Sequence, residues 1–234
     1  MIFPLRDEIK THGTPYVTYS IIALNGIAWC ILQSFGNEPD LSESICKYGF
    51  VPGNLLETIS PGEAIRLSEN MVCRFWPDAD FFRLITSMFM HGGWMHIIGN
   101  MWFLWVFGDN VEEAMGPLRF ALFYILAGVI AAFFQAATDT SSVIPMVGAS
   151  GAIGGVMGAY ALLYPRHKIH TLVLFFVIRI PAVFVLGWWF MIQFLSGLPH
   201  LGANESVAFW AHIGGFLSGL IMATLLRRDK HWYF

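Results

Sequence analysis

Six long apolar runs, none containing a charged side chain, constrain this chain more than any other feature of its sequence. They lie at about 16–35, 92–108, 120–137, 147–164, 181–198 and 207–226. As a helix, each run is long enough to cross the roughly 30 Å of hydrocarbon in a bilayer. Because lipid offers no hydrogen-bond partners, the backbone of such a run must pair within itself, which favours helices. The sequence therefore predicts an all-α, polytopic membrane protein with a bundle of six transmembrane helices.

The composition supports the same class of protein. Of the 234 residues, 56% are hydrophobic and 12% are charged, whereas soluble domains carry about 25% charged residues. Too few polar side chains remain to cover a water-facing surface, so the lipid bilayer is the predicted surrounding of much of the chain. The net charge of −3 comes without a basic tract, which argues against nucleic-acid binding. We interpret residues 1–234 as a single membrane domain and expect no cofactor.

The basic side chains between the runs predict the orientation of the bundle. Nine share the side of the N-terminus: Arg6, Lys10, Arg119, Arg166, Lys168, Arg179, Arg227, Arg228 and Lys230. Four lie on the other side, all in the large loop 36–91: Lys47, Arg66, Arg74 and Arg83. By the positive-inside rule, both termini are predicted to be cytoplasmic and the loop to lie outside.

Three segments outside the runs carry further expectations. Cys46 and Cys73 lie in the large loop and can form a disulfide if that loop meets an oxidising compartment, but the sequence leaves the pairing open. The segment 170–180 is β-branched and apolar, and we interpret it as an interfacial stretch leading into the fifth helix. The first 15 residues lack the apolar core and cleavage site of a signal peptide.

Three polar groups interrupt the apolar pattern. They are His91 with His96 and Asn100; Ser150 between Gly148 and Gly151; and His212. Taken singly, a serine in a membrane helix commonly bonds a backbone carbonyl one turn back, and a lone histidine commonly packs. However, Ser150, His96 and His212 each fall three to five residues after the start of a run that enters from outside. All three are then about 4–8 Å below one surface, which indicates a single site.

Spacing separates the roles of the polar side chains in the second run. His96 and Asn100 are four residues apart, so they project from one face of a helix. His91 and His96 are five apart and cannot share a site on a regular helix, so we place His91 at the helix mouth as structural support. A zinc pair on one helix uses a spacing of three or four residues, and no metal site is predicted.

Small residues form one face on each of two runs. The fourth run carries Ser150, Gly154 and Gly158, with Gly151 and Gly155 beside them; the sixth carries His212, Gly215 and Gly219. Such faces let membrane helices approach closely, and packing alone would account for them. Close approach of these two faces would also bring Ser150 within hydrogen-bond reach of His212.

A serine beside a histidine is the arrangement of a nucleophile and its general base. The runs contain no Asp or Glu, so a Ser–His dyad is favoured over a triad and a paired-aspartate protease is excluded. The His96 ring, the Asn100 amide and the backbone N–H of Ser150 are candidate donors to an oxyanion. The sequence also lacks the HExxH motif of a metalloprotease.

At these residues the chain resembles the rhomboid family of intramembrane serine proteases. The matching motifs are GASG at Ser150, HGGWMHIIGN from His91 to Asn100, and AHIGGFLSG at His212, and the likeness covers most of 14–226. It implies that Ser150 is the nucleophile, His212 the base, and His96 and Asn100 oxyanion donors. Supporting roles fall to His91, Gly148, Gly151, Gly154 and Gly215.

The resemblance also implies the substrates and the setting. Transmembrane proteins are the expected substrates, entering near the second and fifth helices beneath a mobile loop at about 198–207, and the expected location is the plasma (inner) membrane of a bacterium. Some members carry an aromatic ring four residues after the serine, stacked on the histidine, where this chain has Gly154. Phe82 stands before Arg83 where tryptophan is frequent.

Two other functions compete with a protease. A catalytically inactive rhomboid-like protein would bind membrane clients without cutting them, but such a protein usually lacks one member of the dyad, whereas both Ser150 and His212 are present. A transporter or channel would show polar groups near the bilayer midplane or broken helices, whereas these groups cluster near one surface.

Overall fold

The computed structural model of the chain describes residues 2–56, 58–60, 62–67, 71–74, 81–198 and 207–228. The helices of this described part are α1 (Tyr16–Ile31), α2 (Asp40–Tyr48), α3 (Pro52–Leu55), α4 (Arg83–Thr86), α5 (Trp94–Met115), α6 (Pro117–Ala136), α7 (Ser150–Leu163), α8 (Ala182–Ser196) and α9 (Phe209–Leu226). The strands are β1 (Ile2–Asp7), β2 (Ala64–Arg66), β3 (Val72–Arg74), β4 (Lys168–Val173) and β5 (Phe176–Pro181). The predicted helical architecture is confirmed, and the short strands add to it.

Each of the six apolar runs overlaps one helix, but the helices differ in length from the runs, and α5 continues beyond its run to Met115. Only α6 and α9, among the described residues, are both long and apolar enough to cross a bilayer by themselves. The apolar helices α1, α7 and α8 have 16, 14 and 15 residues. Helix α7 is shorter than its run because Gly148 has a φ of +116°, so the helix begins only at Ser150.

Helix α7 lies at the centre of the bundle. Every residue from Gly151 to Tyr160 is buried, whereas the surrounding helices expose large apolar side chains such as Leu118 on α6, Phe184 on α8 and Ile221 on α9. Soluble monomers rarely expose so much contiguous apolar surface. The bundle therefore has a packed core and an outer face suited to lipid.

Helices α7 and α9 touch backbone to backbone. A Cβ atom built on Gly215 would lie 2.0 Å from the carbonyl oxygen of Gly151, and one on Gly219 would lie 2.0 Å from that of Gly155. A Cβ on Gly158 would lie 2.1 Å from the carbonyl oxygen of Phe216. No side chain fits at these positions, so the two small-residue faces meet as the sequence predicts.

A three-stranded antiparallel sheet lies at the end of the bundle where α7 finishes. Its strand order is β1–β4–β5, with Phe3 opposite Leu172 and Thr171 opposite Ile178. The segment 170–180, interpreted as an interfacial stretch leading into the fifth helix, lies in the β4–β5 hairpin, which leads directly into α8. Its β-branched residues suit a strand, and Pro181 ends β5 where α8 begins.

The N-terminal strand is also tied to the helices by its last residue. The carboxylate of Asp7 accepts hydrogen bonds from Asn110 Nδ2 of α5 at 2.5 Å and from the Tyr160 hydroxyl of α7 at 2.9 Å. Strand β1 thus links the sheet to two helices of the bundle.

The large loop packs at the opposite end, against the segment that precedes α7. Phe50 forms an isolated β-bridge with Met146, and the amide of Gly148 donates to the carbonyl oxygen of Ser87. Cys46 and Cys73 form a disulfide, which settles the pairing that the sequence left open. Phe82 lies just before α4, and Arg83 is the first residue of that helix.

Candidate active site

The polar side chains singled out in the sequence meet near the starts of three helices. Ser150 is the first residue of α7, His96 the third of α5 and His212 the fourth of α9. All three line one cavity of about 910 Å³, together with Asn100. The structure therefore brings together the groups that the shared depth predicts to form one site.

Ser150 and His212 are hydrogen-bonded to each other. The distance from His212 Nε2 to Ser150 Oγ is 2.8 Å. The glycine contact between α7 and α9 makes this short distance possible, because the two backbones meet within one helical turn of both residues. A hydroxyl in this position can pass its proton to the imidazole as it attacks a carbonyl carbon.

Helix α8 supplies two neighbours of His212 that the sequence analysis missed. Gln193 Oε1 lies 2.7 Å from His212 Nδ1, and the ring of Trp189 lies 5.8 Å from the imidazole, tilted by 37°. The sequence signal for this contact was Gln193 itself, because it is the one amide side chain in an otherwise apolar helix.

The aromatic contact of His212 comes from α8 and α9 rather than from α7. Phe209 meets the imidazole edge to face at 6.5 Å, in addition to Trp189. A Cβ on Gly154 would lie 2.9 Å from the carbonyl oxygen of His212. An aromatic side chain at 154 is therefore incompatible with this approach of α9, and Gly154 supports the site by keeping the helices close.

The opposite wall of the cavity presents two N–H donors. The amide of Gly92 donates to His96 Nδ1 at 3.2 Å, so the ring proton belongs on Nε2. A Cβ on Gly148 would lie 2.6 Å from that Nε2 and 3.4 Å from Asn100 Nδ2. Asn100 is buried, and its Nδ2 has no hydrogen-bond partner among the residues that the structure describes.

A third donor comes from the start of α7. The first amides of a helix have no intrahelical acceptor, so the backbone N–H of Ser150 is available beside its own hydroxyl. Three N–H groups on α5 and α7 thus belong to residues that line the same cavity, and such an arrangement can stabilise negative charge on a substrate oxygen.

His91 lies behind this wall, outside α5. Its backbone N–H and carbonyl both bond the Gln33 amide at 2.8 Å, and its ring meets the His96 ring edge to face at 5.1 Å. The contact forms because residues 91–93 precede α5, so His91 is not held at the angle from His96 that a regular helix would impose. Burial, with a further contribution from His96, lowers the pKa of His91 to about 3, so the ring is neutral.

The cavity also extends past the ends of α8 and α9. Gly197 and Val207, on either side of 199–206, line it. The predicted mobile loop at about 198–207 falls almost entirely outside the described residues. Among the residues that the structure describes, no cluster of three or more His, Cys, Asp or Glu side chains is suited to a metal ion.

Fold and site together define a class: helical membrane proteins with a serine–histidine pair close to one end of the bundle. The sequence model of the Rhomboid domain matches residues 78–229, more than half of the chain. The chain therefore belongs to the rhomboid family, and membership implies an integral membrane protein.

Curated relatives from bacteria and plants agree with this assignment. The Rhomboid protease GluP of Bacillus subtilis (strain 168) is 29% identical over 222 residues, which cover 94% of this chain and 36% of that protein. RHOMBOID-like protein 5 of Arabidopsis thaliana is 28% identical over 170 residues, 68% of this chain and 49% of the relative. Inactive RHOMBOID-like protein 8 of the same plant is 30% identical over 139 residues, 59% of this chain and 36% of the relative.

The chain thus spans half or less of the length of each of these relatives. Their names include a protease and an inactive protein, so the family contains both kinds of member. Family membership fixes the fold and the membrane setting, whereas activity depends on the residues of the site.

Proposed function

We propose that this chain is an intramembrane serine endopeptidase that hydrolyses peptide bonds in or near the transmembrane segments of other membrane proteins. The observation that carries the proposal is the 2.8 Å hydrogen bond between His212 Nε2 and Ser150 Oγ, inside a cavity bordered by N–H donors. A protein that only binds membrane clients does not require a hydrogen bond between a serine and a histidine.

The geometry supports the following course of reaction. His212 Nε2 takes the proton of Ser150 as Oγ attacks the scissile carbonyl carbon. Negative charge that develops on the carbonyl oxygen is stabilised by N–H groups of His96, Asn100 and Ser150. The C–N bond then breaks as His212 returns its proton to the leaving amine. Water, deprotonated in turn by His212, attacks the acyl ester and releases Ser150 and the new carboxylate.

The proposal includes the topology predicted from the basic side chains. The six long helices cross the bilayer as one domain, with both termini in the cytoplasm of a bacterial cell and the 36–91 loop outside. On a background without native cysteines, a cysteine at Asp40 should react with an impermeant reagent in intact cells and one at Arg228 should not. The reverse pattern would overturn this orientation.

The test of activity uses the purified full chain in detergent and a panel of single-span membrane proteins. Cleavage should occur with the parent and fall by about 10³-fold or more in Ser150→Ala, in His212→Ala and in the double variant, because removing either partner leaves no activated nucleophile. A fluorophosphonate should label the parent at Ser150 and react far more slowly with His212→Ala.

A matched control is Ser218→Ala, which removes a buried serine of α9 that bonds the carbonyl oxygen of Gly215. It should retain cleavage. Cleavage that survives in Ser150→Ala, or a parent that binds single-span proteins but neither cuts them nor reacts with the fluorophosphonate, would favour the client-binding function instead.

A further inference from the structure

Gln193 is a polar side chain in a helix whose other residues are almost all apolar. Helix α8 is strongly apolar, and only 9% of Gln193 is exposed. A buried amide without a partner would be costly, and the partner that Gln193 has is His212, through a 2.7 Å contact between Oε1 and Nδ1.

The chemistry of this contact decides where the imidazole proton resides. In the orientation that the structure gives this amide, Oε1 faces Nδ1. An amide oxygen only accepts hydrogen bonds, so in this arrangement Nδ1 of His212 carries the proton and donates it to Gln193 Oε1. Nε2 is then unprotonated and accepts from the hydroxyl of Ser150 at 2.8 Å. The other tautomer would direct an N–H at the serine, and Nε2 could not take its proton.

We propose that Gln193 is a positioning residue of the dyad, which holds His212 in its Nδ1–H tautomer with Nε2 facing Ser150. This inference rests on the proposed protease function. Gln193 occupies the place of the acid in a Ser–His–Asp triad, but it is neutral, so no charge has to be buried among apolar helices.

Among the described groups around the imidazole, Gln193 is the one placed to accept the Nδ1 proton. Around His212, α7 supplies Ser150, α8 supplies Gln193 and Trp189, and α5 supplies His96, which is the titratable group facing it. No described carboxylate bonds to His212. Trp189 fixes the plane of the ring by contact and offers no acceptor for the Nδ1 proton.

Two variants of the full chain separate a positioning role from simple packing. Gln193→Met keeps the length of the side chain but removes the acceptor, and fluorophosphonate labelling of Ser150 should slow by about 10²-fold. Loss of the correct tautomer costs up to about 10⁴-fold in a charged triad. Gln193→Glu keeps an acceptor and should recover most of the rate.

The Gln193→Glu variant should also differ from the parent in the pH dependence of labelling. A carboxylate beside Nδ1 stabilises the imidazolium, so the acidic limb of the labelling profile should move to higher pH, which packing alone would not cause. Ile192→Met on the lipid-exposed face of α8 is the matched control and should label at the parent rate. A methionine variant that labels as fast as the parent, or equal losses in both variants with an unmoved acidic limb, would overturn the proposal.

A measurement on the unaltered chain keeps the inference testable even if a variant fails to fold. Nitrogen-15 NMR of ring-labelled histidine, with His212→Ala to assign the resonance, should show a protonated Nδ1 and an unprotonated Nε2 for His212. The opposite tautomer would refute the role of Gln193. This result does not depend on activity, so a parent that fails to react with fluorophosphonate would reject the protease proposal separately.

Discussion

Gly148 is the residue toward which the side-chain donors of the cavity converge. Its φ of +116° lies in a region that residues with a side chain rarely adopt. A Cβ there would also lie 2.6 Å from His96 Nε2. The residue thus shapes the backbone before Ser150 and leaves room for the His96 ring.

Gly148→Ala should therefore lower turnover by displacing His96. Removing one oxyanion donor costs about 10²–10³-fold in rate; Asn100 and the backbone N–H remain, so we expect a loss of about tenfold or more. The measurement is turnover of a single-span substrate at saturation.

Gly62→Ala is the control for backbone strain alone. Gly62 also has a positive φ, of +77°, but a Cβ there would meet no atom of the described residues within 4 Å. This variant should keep full turnover. Equal losses in both variants would show that strain, not the contact with His96, is responsible.

At the scale of whole helices, the contact between α7 and α9 sets the geometry of the site. Gly219→Ala should destabilise the protein by about 3 kcal/mol or more, because the new methyl group would meet the Gly155 carbonyl oxygen at 2.0 Å and a backbone cannot move aside as a side chain can. The thermal unfolding midpoint in detergent measures the effect.

Gly187→Ala on α8 provides the comparison for this substitution. A Cβ on Gly187 meets no atom within 4 Å in the part of the chain that the structure describes, so the higher helix propensity of alanine should leave the midpoint unchanged or raise it. If Gly219→Ala unfolded at the same temperature as Gly187→Ala, the two helix backbones could not be in direct contact.

The sequence predicted the helices and their closest contact but not every partner. Uncharged runs and small-residue faces are local patterns, so the meeting of Ser150 with His212 could be anticipated. Gln193 could not be assigned to His212, because one polar residue in an apolar helix does not specify which neighbour it faces. Strand β1 was missed because it forms only by pairing with β4, more than 160 residues away.

At the scale of the molecule, Asp7 connects the sheet to α5 and α7 and makes the fold sensitive to pH. Burial, partly offset by the Tyr160 hydrogen bond and reinforced by the nearby charge of Asp109, raises the pKa of Asp7 from 3.8 to about 7. The folded state thus holds this proton more tightly than the unfolded chain. Its contribution to stability is complete below about pH 4 and is lost as pH rises through about 7.

We therefore expect the free energy of unfolding of the parent, measured relative to that of Asp7→Asn, which cannot ionise, to fall between pH 5 and pH 8. The comparison isolates Asp7, because the contribution of His91, whose lowered pKa makes stability change in the opposite direction, is common to both proteins. Denaturant unfolding in detergent at the two pH values measures both. Glu43→Gln, which removes an exposed carboxylate of α2, should keep the parent's dependence. An Asp7→Asn protein with the parent's full dependence would contradict the assignment.

The glycine contact between α7 and α9 also has a consequence for the behaviour of the site on heating. Glycine has no side-chain rotamers to lose on folding, so the ordering of this interface costs little side-chain entropy. For the same reason, the interface has few alternative side-chain arrangements that could become populated on warming. The alignment of Ser150 with His212 should then persist up to the unfolding transition and disappear together with the fold, when the two helices part.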